Sequence, residues 1–118
     1  MRVLVCGGRD YCDSEQAFNY LDQLHAKYKF TEVIAGAAVG ADSIAIAWAD
    51  SRGIDYREFP ANWDRYGDNA GRVRNIRMLK EKPDLVVAFP GNSGTRHMIT
   101  SAWEHGVPVI STWRETWL

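Results

Sequence analysis

Five short runs of mostly apolar residues recur along the chain, separated by longer stretches with helical periodicity, and this alternation narrows the possible folds most. Runs 2–6 (RVLVC), 32–35 (EVIA), 54–59 (IDYREF), 85–89 (LVVAF) and 107–111 (VPVIS) have strand length and β-branched content. Three of them are almost continuously apolar, as expected of strands covered by helices on both faces of a parallel sheet. Run 54–59 alternates apolar and polar positions, which predicts an edge strand.

The first intervening helix is expected over 14–27, with Asp13 or Ser14 as N-cap and Ala17, Phe18, Leu21, Leu24 and Tyr28 forming one stripe. A second is expected over 41–52, opened by Gly40 or Asp42, ended by Gly53, and apolar almost all round. The third spans 68–82, because Pro83 disfavours helix at the residue before it. The fourth spans 95–105 and closes at Gly106. Five strands alternating with four helices predict an α/β, Rossmann-like three-layer domain, and right-handed crossovers favour strand order 3-2-1-4-5. At 118 residues one domain over 1–118 is expected, with no room for a separate substrate domain.

Such a sheet binds ligands at the carboxyl ends of its strands, at the switch point between strands 1 and 4. The turns that follow the strands there are rich in glycine. Strand 1 runs into Gly7, Gly8, Arg9 and Asp10; strand 2 runs into Gly36, and then Gly40 and Asp42; strand 4 runs into Pro90, Gly91, Asn92, Ser93, Gly94 and Thr95. Glycine lets backbone approach a ligand closely, and the N–H groups of a following helix start attract anions. One such loop is as readily a tight turn as a phosphate cradle, but three at one edge favour a ligand site.

On a helical wheel of the third helix, Val73, Ile76 and Leu79 share a side that is expected to face the core. Gly71, Arg74, Asn75 and Met78 share the other side, and Arg65, Arg72 and Arg77 make the segment locally basic. Arg74 with Asn75, and Arg9 after the first glycines, are the expected ligand contacts, because guanidinium pairs bidentately with phosphate. Trp63 and Tyr66 lie in a polar loop after strand 3, where a base could stack on Trp63 or both rings could cap the core edge. His25, His97 and His105 lack metal-ligand spacing and read as surface or core-edge residues, and no metal or cofactor is expected. Cys6 reads as a small buried hydrophobe.

The order of these residues resembles the YspA-like, cpYpsA-related branch of the SLOG superfamily of Rossmann-like proteins. The resemblance runs through VLVCGGRDY, GAAVGADSIAIAWA, FPANWDRYGDNAGRVRNIRML and FPGNSGT, with residues 61–79 its most specific block. The superfamily includes the Lonely Guy phosphoribohydrolases and the DNA-processing protein DprA. It implies binding of nucleotides or nucleotide-derived ligands, such as signalling nucleotides or ADP-ribose-like molecules. Carried over by position, it implicates Gly7, Gly8, Arg9, Gly36, Gly40, Asp42, Arg74, Asn75 and the loop from Gly91 to Thr95.

The chain departs from the Lonely Guy signature PGGxGTxxE at its second glycine, here Asn92, and at its catalytic glutamate, here Met98. A thioether cannot serve as general acid, so the resemblance implies binding in a sensor or sequestering protein rather than catalysis. The alternative is a hydrolase of an N-glycosidic or phosphate bond, using Asp10, Asp42, Asp64 or Glu104 as the carboxylate. Single-stranded DNA binding is a third reading, disfavoured by 14 Lys and Arg against 15 Asp and Glu. The opening apolar run is too short for a signal peptide, and no stretch reaches the roughly 20 apolar residues of a membrane span, so a cytoplasmic location is expected. Trp113 and Trp117 make the last residues apolar and predict a homo-oligomer or a docked tail.

Overall fold

Strand β1 (Arg2–Cys6) lies at the middle of a parallel sheet, because both of its faces are apolar and only a central strand can bury both. In the computed structural model, which describes residues 1–112, it pairs with β2 (Glu32–Gly36) through Val3 and Val33, and with β4 (Leu85–Ala88) through Val3 and Leu85. Strand β3 (Asp55–Phe59) pairs with β2, and β5 (Val109–Ser111) pairs with β4. The order is β3-β2-β1-β4-β5, as the crossover argument predicts. The alternating segment does form an edge: Asp55, Tyr56, Arg57 and Glu58 are exposed and only Phe59 is buried. Ile54 and Val107 stay buried but lie just before their strands.

The two-residue period of β1 divides the core. Val3 and Val5 pack on one side with Ala17 and Leu21 of α1 (Ser14–Tyr28) and with Ala45 and Trp48 of α2 (Ala41–Ser51). Leu4 and Cys6 pack on the other side with Met78 and Leu79 of α4 (Ala70–Leu79) and with Met98, Ile99 and Ala102 of α5 (Ser93–Glu104). Helix α1 is capped by Asp13, which accepts from the Gln16 N–H at 3.0 Å. Trp48 is fully buried, and its indole Nε1 donates to Asp22 Oδ1 at 2.8 Å, joining α2 to α1.

The expected third helix is shorter at both ends than the predicted 68–82, and the loop before it is itself helical. The chain first makes a short helix α3 (Trp63–Tyr66), capped by Asn62, whose side chain accepts from the Arg65 N–H at 3.1 Å. A 3₁₀ turn over Gly67–Asn69 follows, with Gly67 at φ 55°, before α4 begins. Helix α4 ends at Leu79 rather than 82, and Lys82 takes φ 56°, a left-handed conformation. Its inward face is broader than the one periodicity selects, with Leu79 buried and Ile76 packed against the core as expected. Ala70, Asn75, Met78 and Leu79 are buried, whereas Val73 and Ile76 are only half-buried. No helix among the described residues is long and apolar enough to cross a membrane. Trp113 and Trp117 lie outside the described residues.

Asp22 joins the α1–α2 pair. Hydrogen bonds from Arg52 and then from Trp48 lower its carboxyl from 3.8 to about 2. A carboxylate with a depressed native pKa stabilises the fold above its unfolded value and loses that contribution as pH falls through the native one. Asp22→Asn is therefore expected to flatten the acid-unfolding curve between 3.8 and about 2 while leaving its shape at higher pH unchanged, as measured by far-UV circular dichroism against pH.

Candidate functional site

Three loops meet at the carboxyl edge of the sheet, and Gly8 is where they join. Its N–H donates to the Pro90 carbonyl at 2.8 Å, tying the loop after β1 to the loop after β4. Its own carbonyl accepts from the Ala41 N–H at 3.1 Å, tying the same loop to the start of α2. This contact leaves no space for side chains. A Cβ on Gly7 would stand 2.5 Å from the Ala41 Cβ and 2.9 Å from the Phe89 Cβ, and one on Gly8 would stand 2.9 Å from the Pro90 oxygen. Gly40 sits at φ 85°, a conformation open to glycine, with the Gly8 and Arg9 carbonyls against it.

The same contact decides which helix start can receive a ligand. At α2 the Ala41 N–H is used by Gly8, and Asp42 Oδ2 accepts from the N–H of Ala38 in the loop before the helix at 3.3 Å. The first turn of α2 thus carries a buried carboxylate of its own, which the first turn of α5 does not. At α5 the first internal bond runs from the Arg96 N–H to the Asn92 carbonyl, and Asn92 makes no side-chain cap. Among the described residues, the N–H groups of Ser93, Gly94 and Thr95 have no partner within the protein. They open on a cavity of about 420 Å³ that all three residues line.

Across this cavity lies the inward face of α4. Arg74 and Asp42 converge on Gly36, where a Cβ would collide with the guanidinium and stand 2.6 Å from the carboxylate. Asp42 is only 7% exposed, and burial pushes its carboxyl above the ordinary value, with Arg74 and the N–H groups of Ala38 and Gly36 pulling it back. Burial likewise lowers the Arg74 guanidinium, opposed by Asp42. Arg74 is held by polar contacts, its Nη1 donating to the Phe59 carbonyl at 3.3 Å and its Nε to Asn75 Oδ1 at 3.2 Å. The Asn75 amide Nδ2 donates to the Gly94 carbonyl at 3.2 Å and faces His97 Nδ1 at 3.1 Å. His97 Nε2 in turn lies 3.3 Å from Ser101 Oγ. Because Nδ2 is only a donor, His97 Nδ1 accepts and the ring proton sits on Nε2. Burial holds His97 below its ordinary pKa; Arg72 acts in the same direction and Glu104 against it.

Of the residues the sequence singles out, Gly7, Gly8, Arg9, Asp10 and Asp42 line the cavity, as do Trp63, Arg74, Asn75, Asn92, Ser93, Gly94 and Thr95. Gly36, Gly40, Pro90 and Gly91 do not; they form the wall behind it, with Gly91 packed against Thr95. Arg9 stacks on Trp63 at 5.3 Å, and Trp63 is 48% exposed at the rim. A second cavity of about 310 Å³, lined by Ala37, Val39, Pro60 and Ala61, shares Arg9, Ala38, Trp63 and Arg74 with the first. Met98 is fully buried among Leu4, Cys6 and Val86 and does not line the cavity. Of the four candidate carboxylates, Asp10 and Asp42 line it while Asp64 and Glu104 do not, and Asp68 adds one that sequence reasoning left out.

His97 is the larger omission, a cavity-lining residue first read as peripheral. Its contact with Asn75, 22 residues away on another helix, leaves no signal in local spacing. No group of three metal-ligating side chains occurs among the described residues.

The YspA, cpYpsA-related SLOG family matches residues 1–66. The Gene 61 protein of Mycobacterium phage D29 is 39% identical over 93% of this chain and 94% of its own length. Among solved structures, the Moco Carrier Protein from Chlamydomonas reinhardtii superposes with a TM-score of 0.62 at 17% identity, covering 93% of this chain and 74% of that one, a likeness of fold.

The glycine geometry separates wall from opening. Gly8→Ala forces a methyl against backbone and is expected to cost about 1–3 kcal/mol. At Gly94 a Cβ would meet nothing within 4 Å, so Gly94→Ala is expected to change stability by less than about 1 kcal/mol, toward stabilisation. Urea unfolding of the two variants checks both.

Proposed function

Because this chain belongs to the YspA, cpYpsA-related SLOG family, we propose that it binds a nucleotide or nucleotide-derived ligand and acts as a sensor or by sequestering that ligand. The observation that carries this reading is the opposition of three free N–H groups at the start of α5 to the half-buried Arg74 across one cavity. Backbone donors at a helix start together with a guanidinium form a phosphate site. Trp63 at the rim, with Arg9 stacked on it, offers a face for a base. The carrier function in the name of the structural neighbour accords with binding without turnover.

A hydrolase acting on an N-glycosidic or phosphate bond is the second reading, supported by the carboxylates of Asp10 and Asp68 in the cavity wall. Against it, the position of the Lonely Guy glutamate is occupied by Met98 inside the apolar core. Asp42, the most buried of the cavity carboxylates, is already engaged by backbone N–H groups. Self-association belongs to the proposal as well, resting on the apolar composition of the segment that holds Trp113 and Trp117.

Calorimetry with a panel of nucleoside monophosphates and dinucleotides tests the reading, paired with chromatography for released base or phosphate. Binding without product is expected; turnover by the unmodified protein would establish the hydrolase instead. Arg74→Lys keeps a charge near Asp42 but loses the planar fork, and should weaken binding by about tenfold. Gly94→Val should block the cavity with little change in melting temperature, because its side chain meets ligand space rather than protein.

A further inference from the structure

We propose that His97 is a positioning residue for Arg74, acting through Asn75, and that the anion site is competent only while the imidazole is neutral. The inference rests on the phosphate-binding reading and adds to it a control by protonation.

The argument is one of hydrogen-bond polarity. Asn75 has one acceptor and one donor end, and its neighbours determine which way round it sits. Its Oδ1 receives the Arg74 Nε, which can only donate, and its Nδ2 faces the Gly94 carbonyl, which can only accept. In that orientation Nδ2 also faces His97 Nδ1, so the ring must present a lone pair there. A proton on Nδ1 would set two donors against each other. Turning the amide over would satisfy His97 but place Nδ2 against the Arg74 Nε and Oδ1 against the Gly94 carbonyl. One bond would be gained and two lost, and those two hold the guanidinium and the start of α5 on either side of the cavity.

The charged groups that act on the ring lie on both helices that hold it. Arg72 of α4 opposes its protonation, Glu104 of α5 favours it, and burial is the largest influence, also opposing it. The remaining titratable groups of the cavity are Asp10, Asp42, Asp68, Arg9 and Cys6. A cationic imidazole beside the cavity would by itself attract an anion, so simple charge counting and the positioning argument predict opposite pH dependence. Both ring nitrogens already have protein partners, Asn75 and Ser101, so the loss of Arg74 alignment dominates.

The test follows the side-chain nitrogens of uniformly nitrogen-15-labelled protein by NMR between about pH 5 and 8, together with the affinity for inorganic sulfate, whose charge is constant over that range. The expected result is that the Asn75 amide and Arg74 Nε signals move with the same midpoint as His97, below the ordinary histidine value. Sulfate affinity should fall about fivefold on acidification, the worth of one ordinary hydrogen bond. His97→Gln, which keeps an acceptor but cannot titrate, should flatten that profile. Arg74 and Asn75 signals that ignore the titration of His97, or sulfate affinity that rises as pH falls, would overturn the proposal. Coupled signals with no anion binding at any pH would leave the relay standing and remove the phosphate-site reading. Binding with no pH dependence would do the reverse.

Discussion

Everything at the ligand edge depends on two adjacent residues having no side chain. Gly7 and Gly8 bring the backbone after β1 into contact with the start of α2 on one side and with the loop after β4 on the other. A hydrogen bond of 2.8 Å and another of 3.1 Å, both made by the peptide groups of Gly8, hold these segments together. Packing in a protein interior is as dense as in a crystal, so a single methyl here has to displace backbone rather than a movable side chain. The two walls of the cavity are therefore set relative to each other by main chain, and the side chains that reach into it start from rigid positions.

That closure divides the labour among the loops. The first N–H of α2 is spent on the Gly8 carbonyl, and the helix supplies a buried anion, Asp42, which accepts from the loop N–H of Ala38. Asp42 in turn gives Arg74 a reason to stay inside, since a guanidinium stripped of water needs a nearby opposite charge. The N-terminus of α5 is left unspent. This edge thus combines a cation partly compensated by the protein with backbone donors that have no partner among the described residues. Asn75 links the two, bonding to Arg74 on its own helix and to the Gly94 carbonyl on α5.

Helix α4 shows how a polar cavity misleads pattern reading. Periodicity assigns the stripe of Val73, Ile76 and Leu79 to the core and treats Gly71, Arg74, Asn75 and Met78 as the outer face. The structure turns the second group inward, burying Asn75 and Met78 and lining the cavity with all four. Apolar periodicity locates a core only where the interior is apolar; beside a ligand crevice the inward positions are polar and small. All four of those residues line the cavity although the helical wheel sets them opposite the apolar stripe.

The local chemistry of the chain was enough to determine the sheet. Doubly apolar runs require burial on both faces, the alternating run 54–59 suits an edge, and right-handed crossovers favour the observed strand order. The glycine-bearing turns all fall at one edge of that sheet, because glycine after a strand is a local demand of the backbone. Tertiary contact decided the rest: which glycines line the cavity and which only allow its walls to meet, which helix start remains free, and that His97 belongs to the site. Those outcomes depend on contacts such as Asn75 with Gly94 and His97, 19 and 22 residues away along the chain. Sequence spacing within one helix does not encode a distance to another, so only the packed structure determines them.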